Sequence, residues 1–193
     1  MSRLEELIEK ARKLKEKGLT TGEIADELNV SRETAMWLLT RATAKPSDVY
    51  VELNTLTSSA FRLRRIAEIL ADIILEAGEP DVVVGIATSG IPLATMVAQE
   101  ITSEIAVYYP KKLRWEKEEK HISGTLSENF AKIDGKSCAI VDDIMTTGST
   151  IKEVIEYVQN KGKALCAAVI VNKTGLDEIN NVPIYSLIRI ERL

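Results

Sequence analysis

The stretch CAIVDDIMTTGST, residues 138–150, constrains this chain more than any other. A short apolar run reads as a buried strand that delivers Asp142 and Asp143 to its carboxyl edge. Thr146, Thr147, Gly148, Ser149 and Thr150 then turn into a helix, with Thr150 and Glu153 expected as its capping pair. Backbone N–H groups of such a turn, its hydroxyls and the helix N-terminus form a pocket for a phosphate dianion, and Gly148 permits close approach of the backbone. Carboxylates beside a phosphate pocket repel the ligand unless they meet sugar hydroxyls or a Mg²⁺ that the ligand brings.

Around this stretch, apolar runs alternate with helical periodicity. Residues 57–77 carry Leu63, Ile66, Ala67, Leu70, Ile73 and Ile74 on one stripe, with Gly78 and Pro80 as terminators. Strands are expected at 81–86, 104–109, 137–143, 164–171 and 183–190, with helices at 92–101 and 150–161 between them. This order predicts an α/β domain: a parallel sheet with helices on both faces and ligands at the carboxyl ends of its strands. Cys138 and Cys166 lie inside strand-like runs, where cysteine packs as a small hydrophobe, so neither a disulfide nor a metal site is expected.

Residues 1–45 differ in kind. Leu4, Leu7, Ile8, Ala11 and Leu14 form the stripe of an amphipathic helix that Gly18 ends. Thr20 and Glu23 form a capping box for a second helix, Asn29-Val30 is a tight turn, and Ser31 caps a third helix with Ala35, Leu38, Leu39 and Ala42 on its buried face. TTGEIADELNVSRETAMWLL looks like a helix-turn-helix, with Ala25 small at the crossing, Asn29 in the left-handed turn and Val30 plugging the core. In a DNA-binding version the third helix presents Arg32, Glu33, Met36, Trp37 and Arg41 to the major groove, with Thr21 and Ser31 near phosphates and Arg32 the foremost candidate for a base contact.

The formal charge of −4 is unevenly placed. Residues 1–45 are near +1 and the remainder near −5, so DNA binding must rest on paired geometry and a few placed arginines more than on bulk charge. No uncharged apolar stretch reaches the roughly 18 residues of a membrane helix, and MSRLEELIEK is too charged for a signal peptide, so a cytoplasmic location is expected.

Residues 138–150 closely resemble the phosphoribosyl pyrophosphate (PRPP) signature of type I phosphoribosyltransferases, a resemblance that extends over residues 48–193. It implies that Asp142 and Asp143 hold the ribose 2′ and 3′ hydroxyls and that Thr146, Thr147, Gly148, Ser149 and Thr150 hold the 5′-phosphate. Ala87-Thr88-Ser89-Gly90-Ile91-Pro92-Leu93-Ala94 resembles the pyrophosphate loop of orotate phosphoribosyltransferases, which implies that Thr88, Ser89 and Gly90 meet the second anion; those enzymes typically carry a lysine where Ser89 stands. Residues 110–130 occupy the place of the family's flexible active-site loop. Lys117, Lys120 and His121 there resemble its Lys/Glu/Lys/His run, which implies a role in stabilising the leaving pyrophosphate, although Ile122-Ser123 stand where glycines usually follow. The orotate enzymes' Asp-Arg after the next strand is replaced by Asn172-Lys173, and their Lys-Ser-Gly segment appears only as Leu53–Ser59, so the grip on orotate's carboxylate is lost and Lys173 becomes the candidate contact for another base or anion.

A helix-turn-helix fused ahead of such a domain resembles archaeal helix-turn-helix/phosphoribosyltransferase-like transcriptional regulators of sugar catabolism. The resemblance implies two domains, 1–45 for DNA and 46–193 for PRPP or a nucleotide with Mg²⁺, in a homodimeric transcription regulator. The alternative is an active phosphoribosyltransferase, orotate-like or using another base.

Overall fold

The computed structural model describes residues 2–41, 46–113 and 124–191. The chain divides into two compact units, Met1–Leu53 and Asn54–Leu193, each with its own core.

The first unit holds α1 (Arg3–Glu16), α2 (Thr21–Glu27) and α3 (Arg32–Thr40). Two reciprocal capping boxes start α1 and α2: Ser2 with Glu5, and the expected Thr20 with Glu23. Asn29 takes the left-handed turn at φ 53°, and Val30, 3% exposed, plugs the core with Ala25, Ala35 and Leu38. Trp37 departs from the outward placement expected of it. It is 7% exposed and packed in the helical core, with the Arg41 guanidinium 4.3 Å from its ring centroid. An indole in a core this small contributes more by burial than it could on a wet face.

The first unit also runs past the boundary expected at Pro46. Asp48 accepts from the Ser31 N–H (2.7 Å) and the Thr34 hydroxyl (2.9 Å) at the start of α3, Asn29 donates to the Val51 carbonyl, and Arg3 pairs with Glu52 and lies over the Tyr50 ring. Residues 46–53 therefore belong with the helices, because their carboxylates and carbonyls satisfy groups the helices leave open. Asp48→Ala removes an acceptor from the positive end of α3 and is expected to cost about 1 kcal/mol, read as a lowered urea midpoint of the full chain with unchanged slope.

The second unit is a seven-stranded sheet in the order β3-β2-β1-β4-β5-β7-β6. Its strands are β1 (Val82–Ile86), β2 (Glu104–Tyr109), β3 (Thr125–Leu126), β4 (Ser137–Met145), β5 (Lys163–Asn172), β6 (Glu178–Ile179) and β7 (Val182–Arg189). The five long strands run parallel as expected. The two short edge strands pair antiparallel, so the sheet is mixed rather than purely parallel. A separate single turn, α4 (Asn54–Thr57), precedes the helix expected at 57–77, which starts at Ala60 as α5 (Ala60–Ala77) capped by Ser59. α6 (Gly90–Ile101) and α7 (Ser149–Gln159) complete the helices.

The period-two alternation of the strands assigns side chains to faces. Val82, Val84, Ile140 and Val169 pack with Ile151, Val154, Ile155 and Val158 of α7. Gly85 meets α6 on the other face, where a Cβ would fall 2.8 Å from that of Ala94, and α5 packs beside α6. Cys138 and Cys166 are buried free thiols as expected, and burial pushes the Cys166 thiol up to about 12. Among the described residues no helix is long and apolar enough to cross a membrane.

Candidate functional site

β1 and β4 are neighbours at the centre of the sheet. From β1 the chain crosses through α6 to β2 on one side, and from β4 through α7 to β5 on the other. The crevice outside their carboxyl ends is therefore a topological switch point, where open α/β sheets bind ligands. Both loops singled out in the sequence open onto it: Thr88-Ser89-Gly90 after β1 and Thr146-Thr147-Gly148 after β4.

The two helices that start there differ from α1, α2, α3 and α5. Ser2, Thr20, Ser31 and Ser59 each accept a hydrogen bond from the first turn of α1, α2, α3 and α5. The caps of α6 and α7, Ser89 and Gly148, make no such bond. Two helix N-termini thus bring partial positive charge to neighbouring strand ends, an arrangement suited to two anions; at α6 the Ile91 N–H donates to the Thr88 carbonyl (3.3 Å) and Pro92 has no N–H, and at α7 the Ser149 N–H donates to the Thr147 hydroxyl (3.5 Å). Gly148 holds φ at +78°, a conformation side chains rarely adopt. Gly90 is required for a different reason: a Cβ there would sit 2.8 Å from the Val141 carbonyl oxygen and 3.0 Å from a carboxylate oxygen of Asp142. The preceding Ala87–Thr88 peptide is cis.

The expected Thr150–Glu153 capping pair does not form. Glu153 instead accepts from the Tyr108 hydroxyl (3.1 Å) and the Lys111 N–H (2.9 Å), fastening the end of β2 to α7. Thr147 and Ser149 share a hydroxyl contact of 2.9 Å across the mouth of the loop. Thr88, Ser89, Thr147 and Ser149 are exposed, and Thr146 and Thr150 half-buried.

Asp142 and Asp143 lie in β4, which runs two residues further than expected, to Met145. Asp142 accepts from the Asp143 N–H (2.9 Å), and Asp143 accepts from the Ile144 N–H (2.8 Å) and the Ser89 hydroxyl (2.9 Å). Ser89, standing where the orotate enzymes typically have a lysine, thus links the two loops by donating its hydroxyl to the Asp143 carboxylate. Asp142 is 9% exposed. Burial, and then the charge of Asp143, push its carboxyl well above the usual carboxylate range, with the Lys112 ammonium acting against them. Sequence reading did not single out Lys112, which follows β2 after Pro110 and Lys111 and whose charge favours the ionised form of Asp142.

Lys173 sits on the same edge, since its N–H donates to the Met145 carbonyl at 2.9 Å. The buried Asn172 builds the following turn, donating to the Leu176 carbonyl and accepting from the Thr174 N–H and hydroxyl. Lys117, Lys120 and His121, like Ala42, lie outside the described residues. In the first unit, Arg32, Glu33, Met36 and Arg41 are exposed and Thr21 and Ser31 half-buried.

Residues 53–188 match the family model of the phosphoribosyl transferase domain. The fold is that of an orotate phosphoribosyltransferase from Aeropyrum pernix (24% identical, TM-score 0.57, 79% of this chain and 84% of that one). It is also that of an adenine phosphoribosyltransferase from Rhodothermus marinus (21% identical, TM-score 0.57, 76% and 90%). Similarity to a transcriptional regulator GfcR of Archaeoglobus fulgidus is 58% identity and covers all of both chains. The chain belongs to the GfcR family of archaeal transcriptional regulators. GfcR proteins of Methanocella arvoryzae, 46% identical over all of both chains, and Haloferax volcanii, 41% identical over 100% of this chain and 99% of that one, match in the same way. The GfcR kinship therefore takes in the three-helix unit, which the phosphoribosyl transferase model does not reach.

Proposed function

We propose that the chain is a homodimeric, DNA-binding transcription regulator of the cytoplasm whose second unit senses PRPP or a nucleotide. The observation that carries this reading is the pair of helix N-termini without side-chain caps, at α6 and α7, facing one crevice beside Asp142 and Asp143, on a chain that also carries a helix-turn-helix. Thr146–Thr150 with the α7 N-terminus would hold the 5′-phosphate, Thr88–Gly90 with the α6 N-terminus the pyrophosphate, and the two aspartates the ribose hydroxyls.

Among the described residues no three His, Cys, Asp or Glu side chains cluster to hold a metal ion. The aspartate pair fits a Mg²⁺ that arrives on the pyrophosphate and takes most of its oxygens from ligand and water. Bound there, the cation would offset ligand charge next to the carboxylates. Lys173 is the candidate for a base or other anion, and the Asn172-Lys173 pair offers no bidentate grip on orotate's carboxylate.

In the first unit Arg32 would read a base edge, with Thr21, the Ser31 hydroxyl and Arg41 at the phosphates and Glu33 beside Arg32 on the same face. Trp37, being buried, would hold α3 and Arg41 in place rather than touch DNA. Ligand binding would act by favouring one of two dimer geometries that differ in the separation of the recognition helices.

Selection of duplex sites from a random pool, with and without Mg²⁺-PRPP, tests this reading. A recurrent two-fold symmetric site is expected, and Arg32→Ala should weaken its binding by about 1–3 kcal/mol and relax preference at one position of each half-site. Recovery of no preferred sequence, together with fast pyrophosphate release from PRPP with any nucleobase, would favour an active phosphoribosyltransferase instead.

A further inference from the structure

Outside the crevice, the most distinctive surface of the second unit is the outer face of α5. This helix of 18 residues buries Leu63, Ile66, Ala67, Leu70, Ala71 and Ile74. Its opposite face leaves Phe61 69% and Ile69 53% exposed. At 100° per residue, Arg62, Arg65, Ile69, Asp72 and Glu76 fall on that same strip, and all are exposed. Phe61 flanks the strip, with the Arg65 guanidinium 5.1 Å from its ring centroid.

The charges on this strip are sorted by sign, arginines in the N-terminal half and carboxylates in the C-terminal half. Arg65 pairs with Glu68 along its own helix. The side chains of Arg62, Asp72 and Glu76 make no ion pair and no hydrogen bond among the described residues. Arg62 stands seven residues before Ile69 and Glu76 seven residues after it. Seven residues is close to two helical turns, so the three lie in a row along the seam of a heptad spacing.

We infer that this face is the seam between two copies of the chain, with α5 packed antiparallel on α5 of the partner about a two-fold axis at Ile69. In that arrangement Ile69 meets its own copy, Arg62 faces Glu76 of the partner subunit, and Glu76 faces the partner's Arg62, so one contact is made twice. Asp72 comes opposite Arg65 of the partner subunit in the same manner. Parallel packing sets arginine against arginine and carboxylate against carboxylate, which fixes the antiparallel direction. A polyanion such as nucleic acid would be repelled by Asp72 and Glu76, and a polycation by Arg62 and Arg65, whereas a second copy satisfies both halves. The seam rests on the homodimer proposed above and does not depend on the ligand or DNA reading.

Sedimentation equilibrium of the full chain tests it. The unaltered chain is expected to dimerise. Ile69→Lys, which sets two ammonium groups on the axis, and Arg62→Glu, which sets like charges at both ends, should each weaken dimerisation at least about tenfold. The double variant Arg62→Glu/Glu76→Arg swaps both charges and should restore it. These side chains are exposed, so the thermal unfolding midpoint reports independently whether each variant is folded. As a second measurement, Ile69→Cys should cross-link to its own copy under mild oxidation, since both native thiols are buried. A monomeric wild-type chain, a dimer indifferent to Ile69→Lys, a double variant no better than Arg62→Glu, or no cross-link through position 69 would each overturn the seam.

Discussion

Gly90→Ala is expected to remove PRPP binding and to destabilise the second unit by about 2–4 kcal/mol. A single methyl at this position has no free space: it would fall 2.8 Å from the Val141 carbonyl oxygen and 3.0 Å from the Asp142 carboxylate. Neither neighbour yields easily. Val141 is paired between β1 and β5 in the centre of the sheet, opposite Gly85 and Ala168, and Asp142 is held by the Asp143 N–H. The first turn of α6 must therefore move away from β4, which carries its N-terminus off the proposed pyrophosphate position and stretches the Ser89–Asp143 hydrogen bond. Isothermal titration with Mg²⁺-PRPP reads the loss of binding, and urea unfolding reads the loss of stability. The methyl would be ordinary in a helix that opened onto solvent, so a variant that binds normally would show that the two strand ends do not approach as described.

Asp142→Asn is expected to act in opposite directions on stability and on binding. In the free protein the Asp142 carboxyl is held above the usual carboxylate range by burial and by the neighbouring charge of Asp143. The folded state therefore binds this proton more tightly than the unfolded chain does. The sign follows from linkage: stability is greatest below the ordinary aspartate range and declines as pH rises from there through the raised folded value. An amide has no proton to lose and can still accept the Asp143 N–H, so the variant should be more stable than wild type at pH 7 by roughly 0.5–2 kcal/mol, and the two should converge near pH 4. Binding should fall steeply, because the amide offers one acceptor where the carboxylate offers two and carries no charge for a Mg²⁺ that accompanies the ligand. Thermal unfolding from pH 4 to pH 8, paired with PRPP titration at pH 7, checks both halves. A variant less stable than wild type across that range would contradict the raised carboxyl of Asp142.

The phosphate loop was legible because its signal is local: an apolar run, two carboxylates, hydroxyls and a glycine at fixed spacing fall within 13 consecutive residues. The turn of the first unit was legible for the same reason, with Asn29 and Val30 taking the conformation and burial expected of them. Features that depend on distant partners were not. Glu153 has capping-box spacing from Thr150, yet α7 starts earlier, at Ser149 with Gly148 as its N-cap, and Tyr108, 45 positions away, and Lys111 take the Glu153 carboxylate. Asp48 fell outside the expected 1–45 unit because the α3 groups it satisfies, Ser31 and Thr34, lie 17 and 14 positions upstream. Trp37 was misplaced because helical spacing alone does not say where a three-helix core closes. β3 and β6, two residues each, are too short to show alternation. Lys112 was passed over as one charge in a charged stretch, and only the fold brings its ammonium within range of Asp142.

The sequence-level objection to DNA binding, a net charge of −4, has a physical counterpart in this picture. A helical unit near neutrality neutralises few phosphates, so its affinity for duplex DNA should vary less with salt than that of a strongly basic domain, and ligand control must come through geometry. The most direct measurement of the account is the dissociation constant of the full-length protein for a selected duplex at fixed salt, with and without saturating Mg²⁺-PRPP, in wild type and in Asp142→Asn. A change of at least about fivefold in wild type, absent in the variant while its ligand-free affinity is retained, is the predicted result. An unchanged affinity in wild type under demonstrated PRPP saturation would contradict it.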